Sequence, residues 1–210
     1  MIHIALCDDH PLLREGVKRI LLQQSDFRVD VEAGSGGELL AALAGKKVDV
    51  VVLDITLPDR NGLDVLKSLG DAGSRAGVLV LSMHPEEQYA MRALKAGAAG
   101  YLQKESVPDE LVTAVRRISQ GRKYVTATLA ERLAVDVGDR GGKAPHELLS
   151  DREYQVLCLL ASGRGVKDIA SELSLSSPTV GTYRARILAK LGLSTTVELV
   201  RYALEHKLVE

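Results

Sequence analysis

Tryptophan is absent from this 210-residue chain, phenylalanine occurs once, and aromatic residues make up only 3% of it. Any packed core must therefore be aliphatic. Cysteine is as scarce: Cys7 and Cys158 lie far apart, each in an apolar context, so reduced core thiols are expected and a cytoplasmic setting with them. No apolar run approaches the ~18 to 20 residues that a membrane-crossing helix needs. Asp8 and Asp9 interrupt the amino-terminal region before any long apolar segment develops, so no secretory leader is expected. An excess of one charge is missing too. With 27 basic and 28 acidic side chains the net charge is −1, and the bulk balance announces neither nucleic acid nor an anionic membrane. What is present, 46% hydrophobic and 26% charged residues, excludes disorder. The length allows one to two domains.

The first part of the chain alternates strand-like and helix-like segments. Ile2 to Leu6 is a short apolar run, and Pro11 to Gln23 sets Leu12, Leu13, Val17, Ile20 and Leu21 on one helical face. Phe27, Val29 and Val31 alternate with polar residues as a half-exposed strand does, and Glu38 to Leu43 reads as a helix. Val48 to Leu53, rich in β-branched residues, reads as a strand buried on both faces. After a loop with Pro58 and Asn61-Gly62 come a helix at Leu63 to Leu69, a strand at Val78 to Met83 and a helix at Pro85 to Ala96. A short strand at Tyr101 and Leu102 and a helix at Pro108 to Gln120 complete the set. Five such βα units predict a doubly wound α/β domain, one open parallel sheet with helices on both faces; in the flavodoxin-like order 2-1-3-4-5 its first and third strands are neighbours.

Gly138 to Lys143 has the composition of a mobile linker. Beyond Ser150 the strands vanish, and helices are expected at 151–162, 166–173, 178–191 and 195–206. The expected organisation is an α/β domain over 1–122, a linker over 123–146 and an all-α domain over 147–210. The α/β part carries 15 basic and 17 acidic residues, and residues 145–210 carry 8 of each. Between Leu173 and Val197, however, there is no acid, while Arg184, Arg186 and Lys190 are present.

In an open parallel sheet, ligands bind outside the carboxyl ends of the strands where strand order reverses. Asp8 and Asp9 follow the first strand and Asp54 the third, which places three carboxylates in one crevice. They cannot all stay ionised without a cation between them. A hard divalent ion with oxygen ligands, Mg²⁺ or else Mn²⁺, meets that need. Lys104 beyond the fifth strand and Ser82 at the end of the fourth stand at the same edge. Together these parts suit a phosphoryl-acceptor site: a carboxylate on a rigid strand end attacks an activated phosphoryl group while cations and a hydroxyl bind its oxygens.

Asp8-Asp9-His10-Pro11, Asp54-Ile55-Thr56-Leu57-Pro58 with Gly62, Leu81-Ser82, and Gly100-Tyr101-Leu102-Gln103-Lys104 resemble the receiver domain of bacterial two-component response regulators. The resemblance implies Asp54 as the phosphorylated residue, Asp8, Asp9 and the Thr56 backbone carbonyl as further metal ligands, and Ser82 and Lys104 as partners of the phosphoryl group. It also implies Tyr101 as the aromatic that turns inward on activation, although ordinary packing suits a tyrosine there as well. Thr56 and His84 match the two variable positions that flank the attacking water and set the lifetime of the phosphorylated state. A plain surface role also suits His84.

The carboxyl-terminal segment reads as a helix-turn-helix. A short helix at Val166 to Leu173 meets Ser174-Leu175-Ser176, whose serines can cap the next helix, and Pro178 falls in that helix's first turn at no hydrogen-bond cost. Val180, Tyr183, Ile187 and Leu191 form one stripe, and Thr182, Ala185 and Ala189 point the opposite way. Small outward residues flanked by Arg184, Arg186 and Lys190 suit a major groove. The same pattern suits a small helical interaction module.

Ser150-x-Arg152-Glu153, Lys167-Asp168-Ile169-Ala170, Leu175-Ser176, Thr179-Val180 and Tyr183 through Lys190-Leu191 resemble the LuxR-type helix-turn-helix, and the whole chain resembles a NarL/FixJ-family response regulator. That implies Lys167 and Lys190 near DNA phosphates and Thr179, Thr182, Tyr183, Arg184 and Arg186 on or beside the reading helix. The last helix (Val197, Val200, Ala203, Leu204) would be a dimer surface, and its stripe also suits packing within its own domain. Two positions depart from the family: Gly181 stands where Lys is common, and Pro178 where a basic residue is frequent. Weak binding by the isolated domain and dependence on dimerisation are expected.

The resemblance implies a cytoplasmic transcription regulator that is not a turnover enzyme. Its partners would be a sensor histidine kinase, double-stranded promoter DNA, a second copy of the chain when phosphorylated, and RNA polymerase. A phosphatase acting through an aspartyl-phosphate would need a second Asp two residues after the nucleophile, where Thr56 stands. A phospho-switched protein-binding module is the other alternative, left open by Pro178 and Gly181.

Overall fold

The computed structural model describes residues 1–83, 86–126, 129–131 and 144–209, which fall into two compact units, Met1–Val137 and Gly138–Glu210. The expected glycine-rich linker at 138–143 and His84 lie outside the described residues.

In the first unit β1 (Ile2–Cys7), β2 (Phe27–Ala33), β3 (Val50–Asp54), β4 (Gly77–Ser82) and β5 (Gly100–Gln103) form one parallel sheet in the order β2-β1-β3-β4-β5. Its helices are α1 (Pro11–Leu22), α2 (Gly36–Leu43), α3 (Gly62–Asp71), α4 (Glu86–Lys95) and α5 (Val107–Ser119). Among the described residues, element ends differ from expectation by no more than two residues. The valine-rich β3 is buried along its whole length, as expected of a strand covered on both faces.

One side of the sheet carries Ile4, Leu6, Val50, Val52, Leu79 and Leu81, packed against Val17 and Leu21 of α1 and Leu111, Val115 and Ile118 of α5. Each such aliphatic residue contributes about 1.5–3 kcal/mol on burial, so the shortage of aromatics costs this core little. Leu12 departs from expectation. It is 92% exposed, because one residue turns a helix by about 100° and the buried stripe of α1 runs through Val17 and Leu21, with Leu13 and Ile20 at its margins.

Strand register sets the functional edge. Cys7 lies opposite Leu53, Asp54 opposite Leu81, and Ser82 opposite Gln103. The residues at or just past these pairs, Asp8, Asp54, Ser82 and Lys104, therefore leave the sheet at one end, beside the reversal of strand order between β1 and β3. The turn after β3 folds back closely. A Cβ on Gly62 would lie 2.1 Å from the Asp54 carbonyl oxygen, so only glycine fits.

Packing of the first unit continues past residue 122. The Tyr124 amide donates to Ala99 O at 2.8 Å, its ring joins the core, and its hydroxyl donates to the Glu110 carboxylate. Thr126 Oγ1 donates to Glu86 Oε2 at 2.7 Å.

The second unit holds α6 (Asp151–Ala161), α7 (Val166–Glu172), α8 (Ser177–Leu191) and α9 (Thr196–Glu205), preceded by a 3₁₀ turn at Pro145–Leu148. Capping boxes start α6 (Ser150 with Glu153) and α9 (Thr195 with Glu198). Between α7 and α8, Ser174 adopts φ 52° and the Ser176 hydroxyl accepts the Thr179 amide, which gives a helix-turn-helix. Val180 and Ile187 of α8 are fully buried, while Tyr183 and Leu191 are half-buried. On α9, Leu199 and Ala203 face inward.

Candidate functional site

Asp54 is 2% exposed and Asp8 1%. Between them Lys104, held in a 3₁₀ turn at Lys104–Ser106, sets its Nζ 2.7 Å from Asp54 Oδ2 and 2.8 Å from Asp8 Oδ2. The other oxygen of Asp54 accepts the Thr56 amide at 3.1 Å. Ser82 is buried at the end of β4, and Tyr101 is fully buried. The structure thus brings Asp8, Asp54, Thr56, Ser82 and Lys104 to one edge. Asp9 stands beside them with its side chain 29% exposed.

The charges do not balance. Burial pushes the Asp54 carboxyl up to about 6; the neighbouring Asp8 adds to that rise and Lys104 opposes it. For Lys104 burial works against the charge, but Asp54 and Asp8 outweigh it and hold the amine above its ordinary range. One lysine against three carboxylates leaves a surplus of negative charge. Asp8 Oδ2 and Asp9 Oδ1 are buried, and each faces a single nitrogen among the described residues, Lys104 Nζ and His10 Nδ1 respectively, both at 2.8 Å. Ligand atoms of Asp8, Asp9, His10 and Asp54 lie within 4.8 Å of one another. An oxygen-rich set with surplus charge and under-used lone pairs fits a hard divalent cation.

Three further residues, to which the sequence pattern gives no role, support the site. His10 Nδ1 lies 2.8 Å from Asp9 Oδ1, and its amide donates to Asp8 Oδ1 at 2.8 Å. Arg14 Nη1 donates to Asp8 O at 2.5 Å. Asp59, in the loop after β3, accepts the Gly36 and Gly37 amides at 3.0 and 2.8 Å and so ties that loop to the start of α2. His10 was visible as part of Asp8-Asp9-His10-Pro11. The pairing of Asp59 with residues 22 and 23 positions away leaves no local sequence signal.

In the helical unit Thr182, Arg184, Ala185, Arg186, Ala189 and Lys190 share exposed positions on α8, with Lys167 exposed on α7 and Thr179 half-buried. Thr182 Oγ1 donates to Pro178 O at 3.1 Å, so its oxygen lone pairs remain for acceptance from a base. Among the described residues Lys167, Arg184 and Arg186 make no ion pair. Lys190 does, 2.6 Å from the buried carboxylate of Glu153. On α9, Val197 is 79% and Leu204 50% exposed, with Val200 half-buried. Ala203 leaves the expected dimer stripe because it packs inside its own unit.

Residues 4–116 match the response regulator receiver domain, and residues 147–203 match the luxR family of bacterial regulatory proteins. The transcriptional regulatory protein UhpA of Salmonella typhimurium is 43% identical over 95% of this chain and 96% of its own. Response regulator UvrY of Escherichia coli K12 is 33% identical over 99% of this chain and 96% of its own. The crystal structure of ChrA, a response regulator of a heme-sensing two-component system, superposes with a TM-score of 0.53 at 31% identity, covering 99% of this chain and 98% of that one. No helix among the described residues is long and apolar enough to cross a membrane. The chain belongs to the two-component response regulators that join a receiver domain to a LuxR-type DNA-binding domain.

Proposed function

We propose that Asp54 is the phosphoacceptor of this regulator and that its phosphorylation by a sensor histidine kinase controls dimerisation and promoter binding. The observation that carries this reading is the buried Asp54 carboxylate, held by Lys104 and Thr56 beside Asp8 at the reversal of strand order. An Asp54 oxygen attacks the phosphorus in line. The P–N bond of the kinase phosphohistidine breaks, and its electron pair leaves with the imidazole. Lys104 and the Ser82 hydroxyl bind the transferred oxygens, while Tyr101 is already fully buried and needs no inward turn. Asp8, Asp9, Asp54 and the Thr56 carbonyl would hold Mg²⁺ or Mn²⁺, which when bound neutralises charge on the phosphoryl group. The receiver is a switch and not a turnover enzyme; slow self-dephosphorylation returns it to rest, with Thr56 beside the attacking water.

The helical domain reads duplex DNA with α8. Lys167, Arg184, Arg186 and Lys190 meet phosphates, while Thr179, Thr182 and Tyr183 lie at or beside the bases. Two copies joined through Val197, Val200 and Leu204 meet adjacent half-sites. The setting is the cytoplasm, and RNA polymerase is a downstream partner. A mobility-shift assay on promoter fragments tests the reading: binding strengthens on phosphorylation and weakens steeply with salt. Absence of any shift at low salt with the phosphorylated protein would favour a protein-binding module.

A further inference from the structure

At the amino end of the sheet, opposite the acceptor pocket, lies a groove of about 1300 Å³. Five basic side chains line it, Lys46, Lys47, Arg75, Arg122 and Lys123, against one acid, Asp49. Asp49 is engaged, its Oδ2 accepting the His3 amide at 2.7 Å. Receiver residues as a whole carry more acid than base, so this end concentrates positive charge on a negative background.

Basic residues at helix carboxyl ends commonly serve the unpaired carbonyls there. Here the backbone already does much of that work. Ser74 N closes on Leu69 O at the end of α3, Ala98 N on Ala93 O at the end of α4, and Arg122 N on Arg117 O at the end of α5. Among the described residues only Lys123 of these five reaches a carbonyl, Ala98 O at 3.2 Å. Among the described residues Lys46, Lys47, Arg75 and Arg122 make no ion pair. They are exposed around a concave surface whose wall includes Leu40, Leu43 and Leu69. A cleft lined by one sign of charge focuses the field and gathers counter-ions.

We propose that this groove binds a nucleoside polyphosphate: the phosphates lie among the four unpaired cations, and the base and sugar lie on the leucine side. The apolar wall distinguishes this ligand from a bare phosphate chain and from a duplex backbone. Occupancy at the end remote from Asp54 gives the receiver a second anionic input.

The test is calorimetric titration of the full chain with ATP, inorganic tripolyphosphate, adenosine and a duplex lacking its target site, with EDTA present. ATP binds one per chain, more tightly than tripolyphosphate, and weakens with salt, while adenosine alone does not bind. Lys47→Glu with Arg122→Glu lowers ATP affinity by ~10-fold or more, whereas Lys67→Glu on α3 leaves it unchanged. Both variants still accept phosphate at Asp54, which separates failure here from failure of the phosphoacceptor reading. No saturable binding, equal affinity for ATP and tripolyphosphate, or indifference to the charge reversals overturns the proposal. Displacement of ATP by the duplex overturns it in favour of a nucleic-acid surface.

Discussion

Lys190 Nζ lies 2.6 Å from Glu153 Oε2 and ties the last turn of α8 to the capping box that opens α6. The same carboxylate oxygen accepts the Ser150 amide at 2.8 Å. Burial alone would raise the Glu153 pKa, but Lys190 and Ser150 outweigh it and hold the carboxyl below its ordinary range. A residue at the end of the reading helix is thus part of the domain's own structure.

Lys190→Ala is therefore expected to cost the helical unit about 1–3 kcal/mol at neutral pH. Because the folded-state pKa of Glu153 is depressed, its contribution is fully present above the ordinary glutamate value, ~4.3, and fades as pH falls through the depressed one. Hydrogen exchange in α6 and α8 should separate wild type from variant at pH 7, and the gap should close in acid. Equal protection at pH 7 would show that the pair contributes nothing.

Gly181 can be replaced. A Cβ there meets nothing within 4 Å, and glycine inside a helix costs about 1 kcal/mol relative to alanine. Gly181→Lys should firm α8 and restore a cation common in the family, so DNA affinity rises on all sequences and the salt dependence steepens. Unchanged binding across a salt series would mean that position 181 does not face the phosphates.

Thr182 and Lys167 test the docking orientation. Thr182→Ala should shift base preference more than overall affinity, while Lys167→Ala should weaken binding uniformly and lower the salt slope by about one. Selection from a randomised duplex pool distinguishes the two. Matching specificity profiles for both variants would contradict the proposed face.

Much of this fold was legible because its signals are local or periodic. The valine run at β3 and the acids ending β1 and β3 predict a parallel sheet with a carboxylate crevice, and parallel register carries Asp8, Asp54, Ser82 and Lys104 to one edge. Leu12 defeats the pattern because an apolar residue at the shoulder of a helical stripe reads like one inside it. The stripe of α9 suits both a dimer surface and internal packing in sequence, and the structure divides it: Ala203 faces inward while Val197 and Leu204 stay exposed. The Asp59 link to α2, the Lys190–Glu153 pair and the basic groove depend on residues distant in sequence, and no periodicity announces them.

Gly62 supports the acceptor loop by lacking a side chain. Gly62→Ala forces a methyl group onto the Asp54 carbonyl and should cost about 2–4 kcal/mol, seen as a lower urea midpoint. It should also slow labelling of Asp54 under conditions where the variant is folded. Wild-type stability would contradict the close approach of these two backbone segments.

The most direct test is mass spectrometry of the full chain after incubation with Mg²⁺ and acetyl phosphate. The account predicts one added phosphate, mapped to Asp54, and none in Asp54→Asn. Labelling that persists in Asp54→Asn, or that maps to Asp8 or Asp9, would contradict it.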